Sequence, residues 1–348
     1  MWVDTLRAAV GRALERGRPG STMDRAAEAL WSSASARGLQ RPLRLPAGAA
    51  VIGVGGATLG GAGKTPLCVE LARALAEGGA KVAVVGHAYR ARPGRAQVVR
   101  PTDPVATVGD DALYAAGALA SIGVPVVVAA SRQDAVDRAA RLADVLLVDG
   151  LLQARPRRLA ASLLVVDAVT PATARCPPLG DLRAPWSALR AAADVVVRVV
   201  AEDAVETAEG LGAEAPALLA RSQTSTVELE GREVPLAALG TARVGLLVAV
   251  AHPERIERTL LRAGIVPRRV VALADHARLR CDRIAAGDVD LWLTTARCRT
   301  KLPARVAGAP VATLVHRVDA AAVVDWLEPR LGGAVRARRG DASLPGSG

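Results

Sequence analysis

The residues Gly60, Gly61, Ala62, Gly63, Lys64 and Thr65 close the stretch VIGVGGATLGGAGKTP, positions 51 to 66, and have the order of a phosphate cradle. A glycine-rich turn between a buried strand and a helix aims several backbone N–H groups at one point, where the helix N-terminus adds partial positive charge. In such a loop Lys64 reaches the β- and γ-phosphates of a nucleoside triphosphate and the Thr65 hydroxyl ligates Mg²⁺. Pro66 suits the first helical turn, where a missing N–H costs little. The G-x-x-x-x-G-K-[ST] pattern meets Thr58 where its first glycine belongs, and Gly55-Gly56 just before it offers the freedom that glycine would supply. Asp149 ends an apolar run from Val145 and reads as a Walker-B-like carboxylate beside Mg²⁺. Asp110 follows Gly109 and has the type of a helix N-cap for a helix from Ala112, and His276 reads as a loop residue. His252 and His316 read as structural, and Asp134, Asp137 and Asp144 as solvated.

These residues need a particular scaffold. Short Val-rich runs at Ala50–Val54, Lys81–Val85, Val124–Ala129, Val145–Asp149, Leu163–Asp167 and Asp194–Val200 alternate with helical segments such as Pro66–Glu77. Continuous apolar runs of this length predict strands buried on both faces of a mostly parallel sheet, an α/β, P-loop NTPase-like doubly wound domain. TVELEGREVPLAALGT then predicts a hairpin turning at Glu230-Gly231. A smaller α/β unit follows, with strands near Val244–Val250, Arg269–Ala272, Leu291–Thr294 and Val311–Leu314. The expected organisation is an amphipathic helical region at 1–45, a nucleotide-binding domain at 46–222, a smaller domain at 223–335 and a disordered tail at 336–348.

The chain has 348 residues, 51% of them hydrophobic and 23% charged, with no Phe, so its core is built from Ala, Val and Leu. Its formal charge of +11 implies an anionic partner or a solvated basic surface. Cys68, Cys176, Cys281 and Cys298 show neither C-x-x-C pairing nor a neighbouring His ligand, which excludes a recognisable zinc or disulfide framework and fits a reducing cytoplasm. No apolar run approaches the roughly 18 residues of a spanning helix. In the N-terminal region Trp2, Val3, Leu6, Val10 and Leu14, then Ala27, Leu30 and Trp31, recur at helical spacing among arginines. An interfacial membrane helix and a helix packed on the protein's own core both fit that pattern.

VGGATLGGAGKTP resembles the N-terminal signature of the tetraacyldisaccharide 4'-kinases, the lipid A 4'-kinases, which reads V-G-N-x-[ST]-x-G-G-[TS]-G-K-T-P and itself carries Ser or Thr at the position of Thr58. Further matches follow in order. Gly86-His87-Ala88-Tyr89 is similar to S-R-G-Y, Val108-Gly109-Asp110-Asp111 to V-G-D-E, and Arg132 stands where the family has an arginine after a strand. DGLLQ from Asp149 resembles D-D-G-[LF]-Q, and LGDLRAP from Leu179 resembles L-P-A-G-x-L-R-E-P. AHPERI from Ala251, ADHARL from Ala274 and LTTARCRTKLP from Leu293 are similar to A-R-P-E-R-F, P-D-H-H-x-F and L-T-T-x-K-D-x-x-K-L. The resemblance spans roughly residues 45 to 320. Gly150, Ala184, His87 and Cys298 depart from it, standing for an aspartate, a glutamate, an arginine and an aspartate.

The resemblance implies ATP-dependent, Mg²⁺-assisted transfer of a phosphoryl group to the 4'-hydroxyl of the acylated disaccharide 1-phosphate precursor of lipid A. It implies Asp110 as the base, supported by His276 from the other domain, with Lys64 on the phosphates and Thr65 and Asp149 toward the metal. The substrate implies peripheral contact with the anionic inner membrane surface, for which basic, Trp-bearing helices are suited. Gly150 and Ala184 motivate the alternative of a diverged paralogue that binds nucleotide in a regulatory role. A nucleic-acid partner is not expected, because the basic residues lack interleaved aromatics.

Overall fold

The structure, a computed structural model, describes residues 20–89, 91–201, 210–213, 216–285 and 287–331. Its strands run in chain order β1 (Gln40–Pro42), β2 (Ala50–Gly56), β3 (Val82–Val85), β4 (Gln97–Val98), β5 (Val126–Val128), β6 (Val145–Asp149), β7 (Gln153–Arg155), β8 (Ala161–Asp167) and β9 (Val195–Ala201), then β10 (Ala217–Leu229), β11 (Arg232–Pro235), β12 (Val244–Ala249), β13 (Arg269–Leu273), β14 (Leu291–Thr295), β15 (Arg305–Val306) and β16 (Ala309–Asp319). Among the described residues one sheet holds fourteen of them, in the order β13-β12-β14-β16-β10-β9-β8-β2-β6-β3-β5-β4, with β11 on β10 and β15 on β16.

The larger half is doubly wound. β9, β8, β2, β6, β3 and β5 are mutually parallel and β4 closes the edge antiparallel. Val-rich strands form here because both faces are covered. The helix Lys64–Glu77 lays Leu67, Leu71 and Leu75 on one face, against Ile52, Val54, Val84 and Leu147. The helix Arg132–Ala139 lays Val136 and Ala139 on the other, against Val51, Val85, Leu146 and Val148. A strand buried on two sides has no polar face to show, so period-2 alternation is absent and β-branched residues fill it.

β10 and β16 join this half to the smaller one. Ala217–Ser222 of β10 pair with β9, whereas Thr226–Leu229 pair with β11, and β16 runs antiparallel along both parts with an irregularity between Gln223 and Thr226. The hairpin expected at Glu230-Gly231 is thus the far end of a strand rooted in the larger half; both turn residues have positive φ, 51° and 79°, as a two-residue type I′ turn needs. β12, β13, β14 and β16 carry a separate core around Trp292, which is fully buried and donates from Nε1 to the Val306 carbonyl at 3.1 Å. The chain then returns: Val318, Ala320, Val323, Leu327 and Leu331 pack into the larger half's core. The smaller unit was expected to run through 335; in the structure its packing ends within β16, because the helix Ala321–Leu327 buries its apolar side on the first core.

The helix Thr22–Gly38 opens with a Ser21/Asp24 capping box and buries no residue. Leu30 is 75% exposed and Met23 83%. This helix is therefore not packed on the core by its apolar residues, whereas Leu39 and Leu43 just after it are buried; Glu28 pairs with Arg175, and Trp31 Nε1 donates to the Arg183 carbonyl at 3.3 Å. Trp2, Val3, Leu6, Val10, Leu14 and the tail from Arg336 lie outside the described residues. No described helix is long and apolar enough to cross a membrane.

Candidate active site

The phosphate loop leaves β2 and enters the helix Lys64–Glu77, as its sequence predicts. A second turn pins it: Leu59 N donates to the Asp181 carbonyl at 2.9 Å, Arg183 N to the Ala57 carbonyl at 2.7 Å, and Thr58 bridges Leu182. The Thr58 hydroxyl donates to the Gly60 carbonyl at 2.7 Å. Thr58 thus clamps the loop from inside, with a hydrogen bond that a glycine at this position could not make. Gly55-Gly56 do not supply the missing freedom that the sequence suggested, since neither has positive φ. They supply room: a Cβ on Gly56 would meet Lys64 Cδ at 2.7 Å, so the lysine lies back along the bare glycine.

Lys64 is half-buried, and desolvation lowers its pKa against the opposing pull of Asp149. Thr65 Oγ1 donates to Asp149 Oδ2 at 2.9 Å, while the buried Asp149 Oδ1 has no hydrogen-bond partner among the described residues. A hydroxyl beside a carboxylate with one uncommitted oxygen is a donor set for a hard divalent cation. Asp111 lines the same small cavity as Thr65 and Asp149, together with Cys68. Burial raises the Asp111 pKa against the lowering effect of Arg297 and His276.

The smaller half forms a roof over the loop. Arg255 Nη1 donates to the Gly61 carbonyl at 3.1 Å and also pairs with Asp167 at the end of β8. The imidazole of His252 covers Gly61, where an added Cβ would fall 2.0 Å from His252 Cδ2. His252, read from sequence as structural, therefore lies on the phosphate loop; the AHPERI block around it was the available signal. Gly61 is doubly constrained, since its φ of 71° also lies in the left-handed region. Gly61→Ala is expected to lower kcat/KM for ATP by roughly tenfold or more without unfolding the chain, because a left-handed alanine costs roughly 1–2 kcal/mol before His252 is displaced. Steady-state kinetics alongside urea unfolding measures both.

Asp110 and His276 meet across the two halves. His276 Nδ1 lies 2.7 Å from Asp110 Oδ1, and Arg297 Nη1 lies 3.1 Å from His276 Nε2. A guanidinium only donates, so Nε2 accepts and Nδ1–H donates to the carboxylate. Lys301 Nζ approaches Asp110 Oδ2 at 2.7 Å. Burial would raise the Asp110 pKa, but the hydrogen bond from His276, with the charges of Lys301 and Arg297, outweighs it and holds the carboxyl well below the usual range. Asp110 also accepts from its neighbour's backbone at Asp111 N, 3.1 Å, yet the helix N-cap itself is Gly109. The capping reading of Asp110 is thus displaced by a tertiary one. Nor is His276 an exposed loop residue: its side chain is 12% exposed, its φ is 58°, and the Tyr89 ring stands edge-on 5.0 Å away. Arg297 further binds Asp275 and lies 3.4 Å from Asp111 Oδ1.

The departures cluster. A Cβ on Gly150 would lie 3.5 Å from His87 Cδ2 and 3.7 Å from Arg132 Nη2, and Arg132 Nη1 is buried with no partner among the described residues. Burial, then the charge of Arg132, pushes the His87 pKa down to about 4, so the ring is neutral near pH 7. Ala184 is fully buried among Leu182, Leu189 and Cys176, an apolar setting in which a glutamate would be costly. Cys298 Sγ accepts from Ala249 N at 3.2 Å. His316 stays in a structural setting, 3.0 Å from the Thr224 hydroxyl.

The family model described as Tetraacyldisaccharide-1-P 4'-kinase matches residues 18–331. A tetraacyldisaccharide 4'-kinase of Methylobacterium sp. (strain 4-46) is 35% identical over 327 residues, 90% of this chain and 93% of the relative. One of Anaeromyxobacter dehalogenans (strain 2CP-C) is 32% identical over 324 residues, 85% of this chain and 83% of the relative. The crystal structure of an "apo" form of LpxK from Aquifex aeolicus in complex with ATP matches with a TM-score of 0.66 over 88% of this chain and 98% of that one. At 19% identity that match speaks for the fold. With a phosphate loop of the family's own variant and a family match from end to end of the described fold, the chain belongs to the tetraacyldisaccharide-1-P 4'-kinase family.

Proposed function

We propose that the protein transfers the γ-phosphoryl group of ATP to the 4'-hydroxyl of the tetraacyldisaccharide 1-phosphate precursor of lipid A. The observation that carries this reading is the Asp110–His276 contact of 2.7 Å, made between a residue beside the phosphate loop and one from the roof. In it Lys64 and the N–H groups of residues 60 to 65 hold the phosphates, and Asp110 receives the proton of the acceptor hydroxyl. Thr65 and Asp149 would hold Mg²⁺, which would supply charge neutralisation for the phosphates. Asp110, Lys301 and His276 assemble only when the halves meet, which couples the base to closure and shields the phosphates from water.

The exposed Leu30, Met23 and Trp31 on a helix that buries nothing support peripheral contact with an anionic lipid surface, where the acylated acceptor resides. The test uses purified protein, Mg-ATP and the tetraacyl disaccharide 1-phosphate in mixed micelles, with Lys64→Ala and Asp110→Ala for comparison. Wild type forms 4'-phosphorylated lipid far faster than either variant; equal rates in all three would remove the kinase reading, and nucleotide binding without turnover would favour a regulatory paralogue.

A further inference from the structure

Both oxygens of Asp110 are occupied. Oδ1 takes the His276 Nδ1–H and the Asp111 backbone N–H, and Oδ2 takes Lys301 Nζ at 2.7 Å. The pair is enclosed, with side chains 8% and 6% exposed. Lys301 follows the short helix Ala296–Arg299, the element whose Arg297 backs His276 Nε2. A carboxylate that takes a proton from a hydroxyl needs an oxygen facing it, and Oδ2 is the one not committed to His276. An ammonium donating there competes for that place and lowers the basicity of the carboxylate. Orientation of Asp110 does not require it, because His276 and the Asp111 N–H already fix the other oxygen.

We propose that Lys301 is a positioning residue that occupies the acceptor hydroxyl's place on Asp110 Oδ2 while no acceptor is bound, so that the base does not activate water against ATP. The inference rests on the kinase reading above. When the acceptor enters, its hydroxyl displaces the ammonium from Oδ2. Its proton passes to Asp110, its oxygen forms the new P–O bond, and the bond between the γ-phosphorus and the β-γ bridging oxygen breaks to release ADP. The displaced ammonium then lies beside the charge developing on the transferred group. Water in that place would undergo the same exchange and yield inorganic phosphate.

The titratable and charged groups facing Asp110 are His276 from the loop after β13, Lys301 and Arg297 from residues 296 to 301, and Asp111 on its own helix. Removing Lys301 takes away one cation, so Asp110 becomes more basic and the acid limb of the kcat/KM profile moves to higher pH.

The experiment measures phosphate release from Mg-ATP without acceptor, lipid phosphorylation with it, and binding of a fluorescent ATP analogue, for wild type, Lys301→Met, Lys301→Gln and Lys301→Arg. Lys301→Met and Lys301→Gln are expected to hydrolyse ATP about tenfold or more faster than wild type without acceptor, with analogue affinity retained and the acid limb shifted upward, while Lys301→Arg stays near wild type on both. Lys301→Gln is a neutral, polar replacement whose amide ends one atom short of the Nζ that meets Oδ2, so the comparison stands if Lys301→Met fails to fold. Acceptor-free hydrolysis no faster than wild type in a variant that still binds the analogue overturns the proposal. Absence of phosphorylated lipid with the wild type overturns the kinase reading instead, and the hydrolysis comparison still decides the role of Lys301.

Discussion

Asp110→Asn is expected to lower kcat for lipid phosphorylation by roughly a hundred- to ten-thousand-fold, the range a positioned general base contributes, with little change in affinity for ATP. The carboxamide keeps the shape of the side chain and still accepts from His276, but it has no basic oxygen for the acceptor proton. The same change removes the counter-charge of Lys301, which lies 2.7 Å away in a setting where both side chains are nearly enclosed. Leaving a buried cation unpaired costs about 3–5 kcal/mol, so the variant is also less stable. Stability and catalysis separate in a double variant: Lys301→Met added to Asp110→Asn regains much of the lost stability, read by urea unfolding, and regains none of the activity. The pair has a pH signature too. The folded carboxyl is depressed, so its contribution is complete above the unfolded carboxylate pKa of about 4. It is lost progressively as pH falls from there through the lower folded value, so the double variant loses less stability than wild type in strong acid.

Lys64→Ala is expected to reduce kcat by roughly a hundred- to a thousand-fold, the loss seen when one preorganised partner of developing charge is removed, and unlike Asp110→Asn it also weakens ATP binding. Lys64 is half-buried beside Asp149, and desolvation already disfavours its charge in the free protein. Phosphates bound in the loop favour its charged form, so the lysine serves ground state and transition state together. A rise in KM for ATP accompanied by a fall in kcat is the pattern to look for. Unchanged KM would mean that the lysine meets the γ-phosphoryl only during transfer.

Much of this arrangement was legible in the residues. β2, β6 and β8 read directly from their apolar runs, since a strand covered on both faces leaves no polar position to obscure it. The loop and the order strand, glycines, Gly63-Lys64-Thr65, helix required only local geometry. The Glu230-Gly231 turn was visible for the same reason. The length of β10 was not, because its first half pairs with β9 and its second with β11, and no local period reports a change of partner. β16, whose end crosses back to the larger half, was read only from Val311 to Leu314 for the same cause.

The chain's local sequence determined the phosphate loop, the helix that receives it, the turn chemistry and the alternation that makes a doubly wound sheet, because these depend on neighbours within a few residues. Tertiary structure alone decided which charges meet. Asp110 looks like a cap and His276 like a loop residue until the roof sets them 2.7 Å apart. Arg255 and His252 touch Gly61 from nearly two hundred residues away, and Lys301 reaches Asp110 across 191 positions. The values of such contacts depend on burial and on the sum of surrounding charges, and neither exists before the two halves close.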